Sequence, residues 1–207
     1  MNKVNYQVIL DKTLNEIKGK EDVPSLLLHS CCAPCSSYVI EYLSNYFYIT
    51  VFYYNPNIDE IDEYKKRAKE QQRLIQNMKT KYPVRYAEGN YDVEEYIRIA
   101  SPLKDEKEGG ARCMLCYELR LREAARYAKE HNYDYFTTTL TISPLKNSQK
   151  INHIGETLQK EYDIPYLFSD FKKKEGYKRS LVLSNEYNLY RQDYCGCSYS
   201  KNKNKNN

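Results

Sequence analysis

No apolar run in this 207-residue chain approaches the roughly 18 residues needed to cross a bilayer, which excludes a membrane-spanning helix. The first twenty residues, MNKVNYQVILDKTLNEIKGK, are charged throughout and lack the apolar stretch of a secretory signal, so the expected compartment is the cytoplasm. Excess charge of either sign is also missing. The 32 Lys and Arg stand against 28 Asp and Glu, a net +4 that permits nucleic-acid binding without arguing for it. There is no tryptophan, no internal repeat and no linker, and low complexity is confined to residues 201–207, KNKNKNN, read as a solvated, disordered tail. Residues 1–200 are therefore expected to form a single α/β catalytic domain, long enough to bury a substantial core.

What is present is patterned. Val4, Val8, Ile9, Leu10, Leu14 and Ile17 recur at near-helical spacing, predicting an N-terminal helix over 4–18. Short apolar or β-branched runs predict strands at 25–29, 48–54, 84–87, 133–142 and 165–168. Helical periodicity predicts helices over 38–43, 59–81, 92–99, 113–131, 148–161 and 177–187, and Gly109-Gly110 in the charged stretch 104–112 marks a loop. Strands alternating with helices imply a three-layer, Rossmann-like α/β fold, a parallel sheet with helices on both faces. In such sheets ligands gather at the carboxyl ends of the strands. The strand-to-helix loops there carry cysteines.

Seven cysteines fall into three groups: Cys31, Cys32 and Cys35 in HSCCAPCSS, Cys113 and Cys116 in RCMLC, and Cys195 and Cys197 in YCGCSYS. In a reducing compartment this points to metal or redox chemistry rather than a disulfide scaffold. Cys113 and Cys116 share one side of a helix start, where the positive helix end is expected to lower their thiol pKa. Two thiolates from each of two loops make a four-thiolate site that suits zinc or an iron–sulfur cluster, and spacing alone does not separate them. Cys195-Gly196-Cys197 suits a small, strained disulfide serving as a two-electron store, with a further metal-ligand pair as the alternative. A thioredoxin reading of Cys32-Ala33-Pro34-Cys35 leaves five thiols unexplained. A radical-SAM reading fails because position 38 is Tyr38, and an ATP-binding loop fails because no glycine lies between His29 and Tyr38.

The motifs LLLHSCCAPCSS, FYYNPNI, ARCMLCYELRL, FTTTLTISPLKNSQKI, SDFKKKEGYKRS and LYRQDYCGCSYS, in this order over most of residues 26–200, resemble epoxyqueuosine reductases of the QueH type. The resemblance implies a nucleotide alpha-hydrolase-like α/β fold and an oxidoreductase acting in tRNA processing. Its reaction would be the last step of queuosine synthesis, in which epoxyqueuosine in the tRNA anticodon loop loses its epoxide oxygen as water. It further implies a [4Fe-4S] cluster held by Cys31, Cys32, Cys113 and Cys116, and a redox-active pair in Cys195 and Cys197. Cys35 could serve a second metal ion. The partners implied are tRNA carrying epoxyqueuosine and an unidentified electron donor. Competing functions are a cluster-dependent tRNA thiolation enzyme and a non-catalytic, zinc-stabilised RNA-binding module.

Other residues carry weaker expectations. Asp170, His29 and Tyr194 are candidate general acids, with structural roles as the competing reading. The basic run Lys172, Lys173, Lys174, Lys178 and Arg179 fits contacts to tRNA phosphates. Tyr53, Tyr54 and Tyr194 could stack on anticodon-loop bases. Asn55-Pro56-Asn57 and Thr137-Thr138-Thr139 lie at strand ends and could line the pocket.

Overall fold

The computed structural model describes residues 3–201. Most of the expected 201–207 tail therefore lies outside the described residues. Four strands, β1 (Ser25–His29), β2 (Tyr48–Tyr53), β3 (Val84–Glu88) and β4 (Tyr135–Thr138), form an all-parallel sheet in the order β3-β2-β1-β4. Helices α1 (Tyr6–Lys18), α2 (Ala33–Leu43), α3 (Ile61–Asn77), α4 (Val93–Ala100), α5 (Ala111–Glu130), α6 (Ser148–Tyr162), α7 (Gly176–Glu186) and the short α8 (Ser198–Lys201) surround it.

Alternation along the strands separates two cores. Leu26 and Leu28 of β1, with Ile49 and Val51 of β2, meet Leu10 and Leu14 of α1, Val39 and Ile40 of α2, and Leu74 of α3. Leu27 and Phe52 point to the opposite face, against Tyr117, Leu121, Ala124 and Ala128 of α5 and Ile151 and Leu158 of α6. Successive strand side chains face opposite sides of a sheet, so this partition makes the three layers directly.

Among the departures from the sequence expectation, three have a clear physical cause. Helix α2 begins at Ala33, not 38, because Pro34 fits the first turn, where an N–H has no helical partner. The strand expected over 133–142 stops at Thr138, whose side chain caps Leu140 N–H at 3.1 Å and turns Thr139–Ile142 into a 3-10 helix. The strand expected at 165–168 reduces to one parallel bridge, Tyr166 to Phe136. Pro165 lacks an N–H, and Tyr166 N–H goes to Gln159 Oε1 at 2.7 Å, which leaves little for a ladder.

From β1 the chain steps outward to β2 and β3, then returns to the other side of β1 with β4. The order thus reverses between β1 and β4. Loops leaving their carboxyl ends must diverge there, and the crevice between them is the natural ligand position of a doubly wound sheet.

Candidate metal and redox site

The loop after β1 opens into that crevice. Ser30 donates to Gln71 Oε1 (2.7 Å), Asn55 Nδ2 donates to the Ser30 carbonyl (2.9 Å), and Cys31 N–H reaches Thr139 Oγ1 in the loop after β4 (3.3 Å). These bonds hold three thiols together. Ligand atoms of Cys31, Cys32 and Cys35 all lie within 4.8 Å of one another, and among the described residues no other set of three or more His, Cys, Asp or Glu ligands does so. Cys32 and Cys35 donate hydrogen bonds that push the Cys31 pKa well below the thiol range, against burial and with help from Lys146 and Arg120. The same contact raises Cys32 to about 12 and carries Cys35 well above its ordinary value. Within the triplet, ionisation is thus favoured at Cys31 over Cys32 and Cys35.

Cys113 and Cys116 enter on the first two turns of α5. Arg112, itself buried, donates to the carbonyls of Leu103, Lys104 and Glu106 at 2.8–3.0 Å and so folds the charged loop back over the helix start. Gly109 N–H points at Cys113 Sγ (3.2 Å). Their thiol pKa values are raised, not lowered as the helix end suggested: burial dominates and takes Cys116 to about 12. The helix-end field is outweighed by desolvation of a thiolate.

The third group arrives with the C-terminal segment. Arg67 of α3 donates to the Cys195 carbonyl (3.2 Å) and to Glu63, and Ser198 binds Asp59 through both N–H and Oγ. Gly196 sits at φ +122, and a Cβ there would lie 2.7 Å from Ile58 Cγ1, so the CGC turn needs glycine on both counts. Cys197 is buried in a small cluster with Cys116, Tyr96 and Ala100. All seven cysteines are free thiols.

Two adjoining hollows collect these groups. A cleft of about 350 Å³ is lined by Cys31, Cys35, Cys195, Lys146, Arg67 and Tyr194, among others. A smaller inner pocket is lined by Cys113, Cys116, Cys195, Cys197 and Asn57. Cys195 belongs to both. Cys113 and Cys116 therefore stand beside the Cys195/Cys197 pair, outside the tight triplet that contains Cys35. The donor set is made of soft sulfur ligands at the switch point, which fits a thiophilic metal or an iron–sulfur group rather than a hard cation. Buried Arg120, two of whose own guanidinium nitrogens have no acceptor, fits an anionic centre.

The comparisons with known proteins bear on this arrangement. Residues 26–203 match the family model for epoxyqueuosine reductase QueH. The chain belongs to the QueH family. Proteins named epoxyqueuosine reductase QueH from Staphylococcus aureus and Streptococcus pyogenes are 45% and 46% identical to it, each over 96% of this chain and over 84% and 78% of their own lengths. The Thermotoga maritima protein of the same name is 35% identical over 85% of this chain and 90% of its own. The matched span of the QueH family model contains every cysteine of the site.

Several expected site residues have other duties in this QueH chain. His29 is fully buried, between Thr138 Oγ1 (2.8 Å) and the Tyr54 carbonyl (3.2 Å), and burial, with the nearby Arg120, lowers its pKa to about 3. It is neutral and structural. Asp170 bonds Ser148 Oγ and pairs with Lys172. Tyr53 and Tyr54 are core residues, leaving Tyr194 as the cleft's aromatic side chain of the three. In the basic run, Lys172 pairs with Asp170, Lys174 with Asp11, Lys178 with Glu175 and Arg179 with Glu41, so four of its five cations are already matched. Lys146, Arg67 and Arg120 were not singled out from sequence. Arg120 had a visible signal, four residues after Cys116 on the face that continues through apolar Ala124 and Ala128.

Among the described residues no helix is long and apolar enough to cross a membrane.

Proposed function

We propose that this chain reduces epoxyqueuosine in the anticodon loop of tRNA to queuosine, releasing the epoxide oxygen as water. Membership of the QueH family supports the reaction. One observation carries the residue assignment: three cysteine groups distant in sequence converge on adjoining hollows, with Cys195 lining both. Cys31, Cys32, Cys113 and Cys116 would hold a [4Fe-4S] cluster, and Cys35, next to Cys31 and Cys32, would serve a second metal ion. When bound, the cluster supplies one-electron transfer at a potential tuned by its surroundings.

The chain's own residues do the rest. Loss of the epoxide oxygen consumes two electrons and two protons. Cys195 and Cys197 as a dithiol release two of each on closing to a disulfide, which an external donor must then reduce. Arg67 steadies the Cys195 backbone. The Lys146 ammonium lies among Cys195, Tyr117, Cys31 and Cys35; burial opposes its charge, yet these neighbours raise its pKa, so it stays a cation in the cleft. A cation there can hold an oxygen that gains negative charge as its C–O bond breaks. Pro34, Ile142 and Pro144 line the same cleft and limit water around the reacting carbons.

The test is anaerobic incubation of the metal-loaded, reduced chain with tRNA carrying epoxyqueuosine, digestion to nucleosides and mass analysis. The product should be lighter by one oxygen. Cys195→Ser and Cys197→Ser should each abolish multiple turnover while keeping the visible absorption of the cluster. Full turnover in either variant rules out the redox pair, and a colourless, zinc-only protein rules out the cluster.

A further inference from the structure

Three arginines are buried among the described residues, and they are not satisfied alike. Arg67 pairs with Glu63 and leaves only Nη2 without a partner, and Arg112 donates to three carbonyls and leaves only Nε. Arg120, only 1% exposed, has one neutral acceptor, Asn55 Oδ1 at 2.5 Å through Nη2. Its Nε and Nη1 have no acceptor. A guanidinium removed from water with two donors idle is strongly disfavoured unless an anion accompanies it.

Three ionisable neighbours of Arg120 are cysteines, one from each group: Cys116, Cys31 and Cys195. Asn55, which anchors the guanidinium, also donates to the Ser30 carbonyl beside Cys31. The side chain therefore links α5 to the loop after β1, at the meeting point of the proposed ligands.

We infer that Arg120 is the counter-charge and hydrogen-bond donor of the cysteine-held metal centre, a positioning residue that acts on the ligand sulfurs and sets how readily the centre accepts an electron. The inference rests on the cysteine-held centre described under the proposed function. Reduction adds negative charge, which a fixed neighbouring cation stabilises, so Arg120 raises the reduction potential. It also accounts for the buried charge: the centre supplies the missing anion for the idle N–H groups.

The experiment compares the wild type with Arg120→Gln, which keeps an amide donor for Asn55 but no charge, and Arg120→Lys, which keeps the charge. Each full-length chain is loaded with iron and sulfide anaerobically. Iron retention against a chelator, the midpoint potential from a redox titration followed by electron paramagnetic resonance, and the melting temperature of the metal-free protein are measured. R120Q should shift the potential downward and lose about 10–100-fold in metal affinity, as changes around a metal's ligands do. R120K should stay near the wild-type potential, and metal-free R120Q should melt no lower than metal-free wild type. If R120Q keeps the wild-type potential, or if R120K and R120Q shift alike, the inference is overturned while the cluster reading stands. If the wild type itself takes up no iron, both fall together.

Discussion

His29 illustrates how a residue suited to acid–base chemistry is withheld from it. Both ring nitrogens are engaged inside the sheet and the pKa falls to about 3, below the ordinary histidine range. The unfolded chain takes up a proton near pH 6.5 and the folded one does not until about pH 3. Folding stability is thus unaffected by His29 above pH 7 and falls as pH drops between those two values, by about 1.4 kcal/mol per unit at most. Denaturant titrations of the metal-free chain at pH 7.5 and pH 5 should show that loss, and His29→Gln should reduce it. Lys146 is the opposite case, a cation kept at the cleft. Lys146→Met should lower kcat/KM for the modified tRNA by roughly 10²-fold with iron content unchanged, and Lys146→Arg should recover part of it. Equal activity of K146M and wild type in the nucleoside assay would remove Lys146 from the reaction.

At the scale of elements, the outer helices are held by close packing with little slack. Gly155 of α6 faces Tyr166, and a methyl group in its place would collide with that ring. Gly155→Ala should therefore destabilise by about 1–3 kcal/mol through overpacking, read as a lower thermal midpoint. Helix α1 precedes the span matched by the family model, yet Leu10, Leu14 and Ile17 are buried in the core it shares with α2 and the sheet. Leu14→Ala should cost about 2–5 kcal/mol without altering metal content. The spacing of those leucines made α1 legible in sequence, as it did α3, α5 and α6. The end of β4 was not legible, because Thr138 and Thr139 have β-branched side chains suited to a strand, and only their bonds to Leu140, His29 and Cys31 turn the chain. The strand expected at 165–168 failed for a similar reason: Gln159, on another element, competes for the Tyr166 N–H.

For the whole molecule, the sheet order matters most to function. Returning to the far side of β1 after β3 separates the loops that follow β1 and β4 and leaves the crevice in which the thiols assemble. We propose that the three layers melt as one domain, so calorimetry of the metal-free chain should give a single transition whose calorimetric and van't Hoff enthalpies agree. Metal loading should raise that midpoint, and removal by chelator under anaerobic conditions should lower it, since a site assembled from three separated segments exists only in the folded chain. A midpoint indifferent to metal would mean that the cysteines do not share an ion.

Alternating strands and helices, the cytosol-like cysteine usage and three thiol motifs in a specific order are properties of local sequence, and they were enough to predict a three-layer α/β fold and a thiol-based redox or metal chemistry. Which thiols sit together is a property of distance across the sheet, and periodicity carries no information about that. Tertiary packing brought Cys35 into the triplet with Cys31 and Cys32, set Cys113 and Cys116 beside Cys195 and Cys197, and buried them enough for desolvation to override the helix-end field. It also matched Lys174 and Arg179 of the basic run with carboxylates on α1 and α2 and left Arg120 without one. Charge and solvation at a site depend on every element packed around it, so they are decided only when the chain is folded.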